Sequence, residues 1–231
     1  MKKHTSYHIP PAIEVEVKQE LEGLLDSKLE PIIYRQHMIN LGRFLASTFV
    51  DKLSESNKVL LISTAEDADY LLSGVKNQLD IKGIQQRLAI FWNHHHPLGS
   101  NGKSVAPILH RFIEDGYRDT DTVIIVKSVM SGSCVVRTNL IAMLEQVRLV
   151  NRIYIVSPVM HIDAEKNLEK EFPDEISRKF RFVYFAKDEE KSSSGEVIPG
   201  IGGQIYKLLG LGDQPVLTGY IPKLVQLKVF S

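Results

Sequence analysis

Apolar positions recur at helical spacing from Tyr34 onward, where Leu41, Phe44, Leu45, Phe49 and Leu53 mark one face of a long helix. That pattern predicts a helix end near the polar run Ser54–Asn57. Before it the stretch to Pro31 is mixed: Ile13, Val15 and Val17 alternate with glutamates, and Leu21, Leu24, Leu25 and Leu29 then take helical spacing. Beyond it, short β-rich runs alternate with helical patterns. Val59–Ile62, Arg87–Trp92, Thr122–Val126, Arg152–Val156 and Phe180–Phe185 read as five strands. Helices are expected from about Ala65 to Leu79, Ser104 to Asp115 with Gly116 as its stop, Cys134 to Val147, and Ala164 to Phe172. Such alternation predicts an α/β fold with a mainly parallel central sheet and helices on both faces. Two polar or tail segments complete the expectation. Lys187–Gly195 reads as a mobile loop, and Val225, Leu227 and Val229, alternating with Gln226 and Lys228, read as an edge strand suited to packing on a partner subunit.

Composition narrows the classes. At 231 residues and 43% apolar, the chain has material for a substantial core. Formal net charge is zero, which leaves no global electrostatic case for nucleic acid or an anionic membrane surface. The single cysteine, Cys134, excludes an intrachain disulfide framework and a multi-cysteine metal site. The first residues carry two lysines but no apolar core of a leader, and no segment has the roughly 18 continuous apolar residues of a membrane span. A cytoplasmic protein is the expectation.

Two glycine-bearing loops are the candidates for chemistry. Strand Thr122–Val126 leads through Lys127 and Ser128 into Ser131, Gly132, Ser133 and Cys134, and a helix follows. Small residues between a strand and a helix N-terminus let backbone N–H groups converge on a phosphate, although an ordinary β–α turn uses the same residues. The second loop, Val197–Gly203, contains Ile198, Pro199, Gly200, Ile201 and Gly202 ahead of the helical run Ile205–Leu209. Glycines at this density permit close backbone contact with a planar ligand, and equally a tight turn before a helix. His94, His95 and His96 are adjacent on a loop, so they cannot all face one ion, and no metal site is assigned to them. Asp163, Glu165, Glu169 and Glu171 read as a solvated helix surface.

In order and separation, these segments resemble the uracil phosphoribosyltransferases, members of the type I phosphoribosyltransferase fold. The resemblance runs from about Tyr34 to Gly210 and is most specific at Ile198–Gly202, where the family carries I-P-G-L-G and holds uracil through the backbone. It implies a phosphoribosyltransferase-like domain over 34–212 with a small base-binding hood. Residues 1–33 are then an N-terminal extension and 213–231 a C-terminal tail. It further implies phosphate binding at Ser131, Gly132, Ser133 and Cys134, base binding at Ile198, Pro199, Gly200, Ile201 and Gly202, and a homodimer.

The same resemblance exposes departures. Where the family's strand ends in D-P or D-D, this chain has Lys127 and Ser128. Opposite the arginine of P-I-L-R-A-G stands Glu66, within Ser63–Ala68, and the aspartate of G-L-G-D is replaced by Gly203. The reciprocal reversal predicts an ion pair between Glu66 and Lys127. A carboxylate beside a pyrophosphate repels it, and a lysine beside an oxocarbenium-like sugar opposes its positive charge. Three functions stay open. The favoured one is a transferase-like protein with impaired or absent turnover that binds a UMP-like monophosphate in a regulatory or accessory role. The others are an active pyrimidine-salvage enzyme that makes UMP with Mg²⁺, and a structural or interaction protein with a collapsed pocket.

Overall fold

The structure, a computed structural model, describes residues 5–98 and 103–230. The end of the Asn93–Gly102 loop, at 99–102, and the two lysines of the first four residues lie outside it. Along the chain come β1 (Thr5–Tyr7), α1 (Glu14–Asp26) and α2 (Pro31–Ser47). Then β2 (Val59–Thr64) runs directly into α3 (Ala65–Asp67), a π-helical turn (Ala68–Leu72) and α4 (Ser73–Ile81). Next are β3 (Gln86–Asn93), β4 (His96–Leu98), β5 (Lys103–Val105), β6 (Ile108–Ile113), β7 (Thr122–Val126) and the short β8 (Val129–Met130). The helix α5 (Cys134–Leu144) precedes β9 (Arg152–Val156), β10 (Val159–His161), α6 (Ala164–Glu169) and α7 (Asp174–Ser177). The last part holds β11 (Phe180–Val183), β12 (Ala186–Asp188), β13 (Glu190–Lys191), β14 (Val197–Ile198), α8 (Ile205–Leu208), α9 (Pro215–Thr218) and α10 (Lys223–Val229).

Six strands form the main sheet in the order β11-β9-β7-β2-β3-β6. All pairs are parallel except β3 with β6. The mainly parallel α/β architecture read from the apolar alternation is therefore the one observed. Both faces are covered, which is why strand residues are apolar without interruption. On one face Val59, Leu61, Ile90 and Ile124 pack with Leu41 and Leu45 of α2, and with Leu71, Leu72 and Val75 of the helical run after β2. On the other, Leu60, Ile62, Val123 and Ile125 pack with Val136, Leu140 and Met143 of α5 and with Leu168 of α6. Val17, Leu21 and Leu24 of the N-terminal stretch and Val225 of the tail are buried in the first of these cores.

Strand order reverses beside β2. The chain leaves β2 for β3 on one side and later returns to place β7 on the other. A smaller sheet, β1-β12-β10-β8, continues from the carboxyl ends of β7, β9 and β11. A β13–β14 hairpin extends beside it.

Three expectations are corrected. Residues 104–115 are not helical: β6 pairs antiparallel with β3, Ile90 opposite Phe112 and Phe91 opposite Arg111. The open hydrogen-bonding edge of β3 selects the extended form for a run whose apolar residues suit either period. The tail over Val225, Leu227 and Val229 is not an edge strand but lies in α10. Asp69 accepts hydrogen bonds from the backbone N–H of Lys223 at 2.8 Å and of Leu224 at 3.0 Å, which nucleates that helix. Lys187–Gly195 is partly structured, with Ala186–Asp188 in the small sheet and Glu190–Lys191 paired to Val197–Ile198.

Candidate functional site

In open α/β sheets, ligands bind beyond the carboxyl ends of the strands where strand order reverses. Here that crevice lies between the ends of β2 and β7, tied by the Ser63 hydroxyl donating to the Val126 carbonyl at 2.9 Å. Three charges fill it. The Lys127 ammonium reaches Glu66 Oε1 at 3.0 Å and Asp67 Oδ2 at 2.5 Å. Thr64 Oγ1 and the Ser128 N–H donate to the same Asp67 oxygen at 3.1 and 3.2 Å. Glu66, Asp67 and Ser128 are buried, and the Lys127 side chain is 11% exposed. Burial alone would lower the Lys127 pKa, but the carboxylates of Asp67 and Glu66 outweigh it and hold the lysine above its usual range. The ion pair expected between Glu66 and Lys127 forms, and Asp67, to which the sequence attached no such role, is the closer partner.

Beside this cluster opens a cavity of about 410 Å³ whose lining includes Lys127, Ser131, Gly132, Cys134, Ile201 and Gly203 of the sequence candidates. Ser131, Gly132 and Cys134 line one side, with Lys127 at its floor. Ile201 and Gly203 line the other, with Tyr206 of α8. Ser133 is buried at the N-cap of α5 and is not part of the wall. Among the described residues no side chain caps α5, so none of them supplies the partner an N-cap gives to the N–H groups of its first turn. Cys134, Val135 and Val136 of that first turn all line the cavity. Cys134 Sγ contacts the Ser104 carbonyl at 3.2 Å.

The second loop is built by its neighbours. Gly200 takes φ 53°, and a Cβ there would meet the Val197 carbonyl oxygen at 2.3 Å, so glycine is required for close approach. Its N–H donates to the buried Asp188 at 2.9 Å, and the Tyr34 hydroxyl donates to the Ile201 carbonyl at 2.8 Å. Ile198, Pro199, Gly200 and Gly202 shape this loop without lining the cavity. Gly203 lines the cavity and brings no carboxylate to it.

His95 lines the cavity, while His94 and His96 pack ring on ring with centroids 3.6 Å apart. Desolvation, then the Lys127 and His96 charges, lower the His95 pKa, so the ring is neutral near neutrality. Among the described residues, no group of three or more His, Cys, Asp or Glu side chains is placed to hold a metal ion. The Mg²⁺ implied by the resemblance finds no fit at Glu66 and Asp67, because both already share the Lys127 ammonium.

Asp213 and Gln214 close the cavity from the C-terminal side, and nothing in their local sequence signals it. A larger opening of about 900 Å³ lies along β11 near His8, Lys52 and Arg152, and none of the candidate residues lines it.

No helix among the described residues is long and apolar enough to cross a membrane. No protein-family model and no curated protein matches the chain. Solved structures do align in part. A hypothetical protein from Neisseria gonorrhoeae with bound ppGpp aligns at 9% identity and TM-score 0.42, over 67% of this chain and 80% of its own. A hypoxanthine phosphoribosyltransferase from Staphylococcus aureus aligns at 10% identity and TM-score 0.42, over 67% and 74%. An adenine phosphoribosyltransferase from Thermoanaerobacter pseudethanolicus aligns at 10% identity and TM-score 0.40, over 63% and 80%.

Proposed function

We propose that the chain binds a small phosphorylated ligand of nucleotide-monophosphate size in the 410 Å³ cavity, without efficient phosphoribosyl transfer, as a regulatory or accessory protein. One observation carries this reading: residues of two loops far apart in sequence, Ser131, Gly132 and Cys134 on one and Ile201 and Gly203 on the other, line the same cavity. Its volume falls within the roughly 300–1,000 Å³ of small-molecule sites. The phosphate is met by the uncapped first turn of α5 and the Ser131 hydroxyl, and the planar base by Ile201, Tyr206 and the Gly203 backbone.

Charge sets the limit on both ligand and chemistry. Lys127 faces two carboxylates, so the cluster carries a net negative charge, and Glu196 and Asp213 add more at the wall. Backbone dipoles and hydroxyls therefore do the anchoring, which suits one phosphate better than a diphosphate. Transfer needs a stabilising negative group for an oxocarbenium-like sugar and a receptive site for the leaving diphosphate. The carboxylates here are held by Lys127, and the cation is held by them.

Calorimetric titration with UMP, uracil and phosphoribosyl pyrophosphate, each with and without Mg²⁺, tests the reading. UMP binding without UMP synthesis is the expected result. Robust synthesis overturns the loss of turnover, and absence of any binding removes the ligand site. Gly132→Glu sharpens the test, because a Cβ at Gly132 meets no described residue within 4 Å. That variant should fold normally and lose UMP affinity; unchanged affinity places the phosphate elsewhere.

A further inference from the structure

We infer that Asp213 and Gln214, at the start of the docked segment 213–230, are a working wall of the cavity and that Gln214 is a positioning residue, holding His95 through its backbone. The Gln214 side chain meets one residue with both ends of its amide. Its Oε1 accepts from the His95 N–H at 2.7 Å, and its Nε2 donates to the His95 carbonyl at 3.2 Å. This is the hydrogen-bond pattern of a strand partner, supplied by a side chain across 119 residues of sequence.

The clamp reaches the phosphate side of the cavity through a short chain of contacts. His95 precedes β4, which pairs antiparallel with β5, His96 opposite Val105. Ser104 on β5 presents its carbonyl to Cys134 Sγ, at the first residue of α5. At the root of the same hairpin, Asn93 and Asn139 of α5 exchange amide hydrogen bonds at 2.9 and 3.0 Å. The incoming root of the hairpin is thus fixed to α5 at Asn93 and to the tail at His95, while the returning strand touches α5 through Ser104.

The tail itself is anchored independently. Asp69 accepts from the Tyr220 hydroxyl at 2.6 Å as well as from the first N–H groups of α10. Trp92 Nε1 donates to the Tyr220 carbonyl at 2.8 Å, and Lys228 pairs with Glu114 at 2.8 Å. Gln214 is therefore held on a docked element. A purely structural tail needs these anchors but not a bidentate grip on a residue of the cavity wall.

The test uses the full chain and two probes native to it. Cys134 is the only cysteine and lines the cavity, so its alkylation by iodoacetamide reports the opening of the wall. Trp92 is the only tryptophan and reports tail docking through its emission. Gln214→Ala should leave Trp92 emission and the unfolding midpoint unchanged. It should speed Cys134 alkylation roughly tenfold, as expected when paired hydrogen bonds that close a local opening are lost. Gln214→Glu, which keeps only the acceptor, should give a smaller rise and serves if the alanine variant does not fold. Unchanged alkylation in a folded variant overturns the inference, including where UMP affinity falls, since Gln214 then acts on the ligand directly. The UMP arm rests on the ligand reading above: faster alkylation in a protein whose parent does not bind UMP upholds the wall and removes that reading.

Discussion

Lys127, Glu66 and Asp67 are three charges withdrawn from water at the end of two neighbouring strands. Such a group adds little net stability while complete, because desolvation offsets most of the attraction, but removing one member strands the others. Lys127→Met should therefore lower unfolding free energy by about 3–5 kcal/mol in urea titration. Adding Glu66→Gln and Asp67→Asn should recover most of that loss. A single variant within about 1 kcal/mol of the parent would place this cluster with solvent-screened surface pairs instead. The Glu66–Lys127 pair was expected from the motif resemblance, and it forms. Asp67 was not, since only the turn of α3 aims its carboxylate, rather than its neighbour's, most directly at the ammonium.

Helices α2 and α4 meet where two glycines remove side chains from the contact. A Cβ on Gly74 would lie 2.0 Å from the Ile39 carbonyl oxygen, and one on Gly42 would lie 2.2 Å from that of Leu71. Both obstacles are backbone, which cannot yield as a side chain does. Gly74→Ala should thus destabilise by about 1–3 kcal/mol despite alanine's better helix propensity, seen as a lower urea midpoint. An unchanged or raised midpoint would mean the helices separate freely. The elements misread in sequence share a different cause. Ile108, Phe112, Val225 and Val229 sit in runs compatible with more than one period, and their local pattern has no preference strong enough to decide. A vacant strand edge on β3 decided the first run, and the Asp69 cap decided the second.

At the scale of the molecule, the sheet is a partition between two cores, and successive residues of a strand serve opposite ones. Leu60 belongs to the core beneath α5 and Leu61 to that beneath α2, and both are fully buried. Leu60→Ala and Leu61→Ala should each cost about 2–5 kcal/mol, with one cooperative transition by circular dichroism and Trp92 emission. A cost confined to one of the two would mean that only one face is packed. The same partition sets the position of the cavity. It lies at the carboxyl edge, beside the reversal of strand order, where loops from β7 and from β14 end on one side of the sheet.

Local composition was enough for the strands of the parallel sheet, for α5, for the two loops on which ligand binding is proposed, and for α2 except its end, which falls at Ser47 rather than near Ser54. Their apolar runs and glycines constrain the backbone whatever surrounds them. The joining of those loops around one cavity, the filling of the crevice by Lys127 with both carboxylates, and the closure by Gln214 depend on contacts between residues far apart in the chain. Such contacts leave no periodicity, because each is a single meeting of side chain and backbone that exists only once the sheet has ordered its strands.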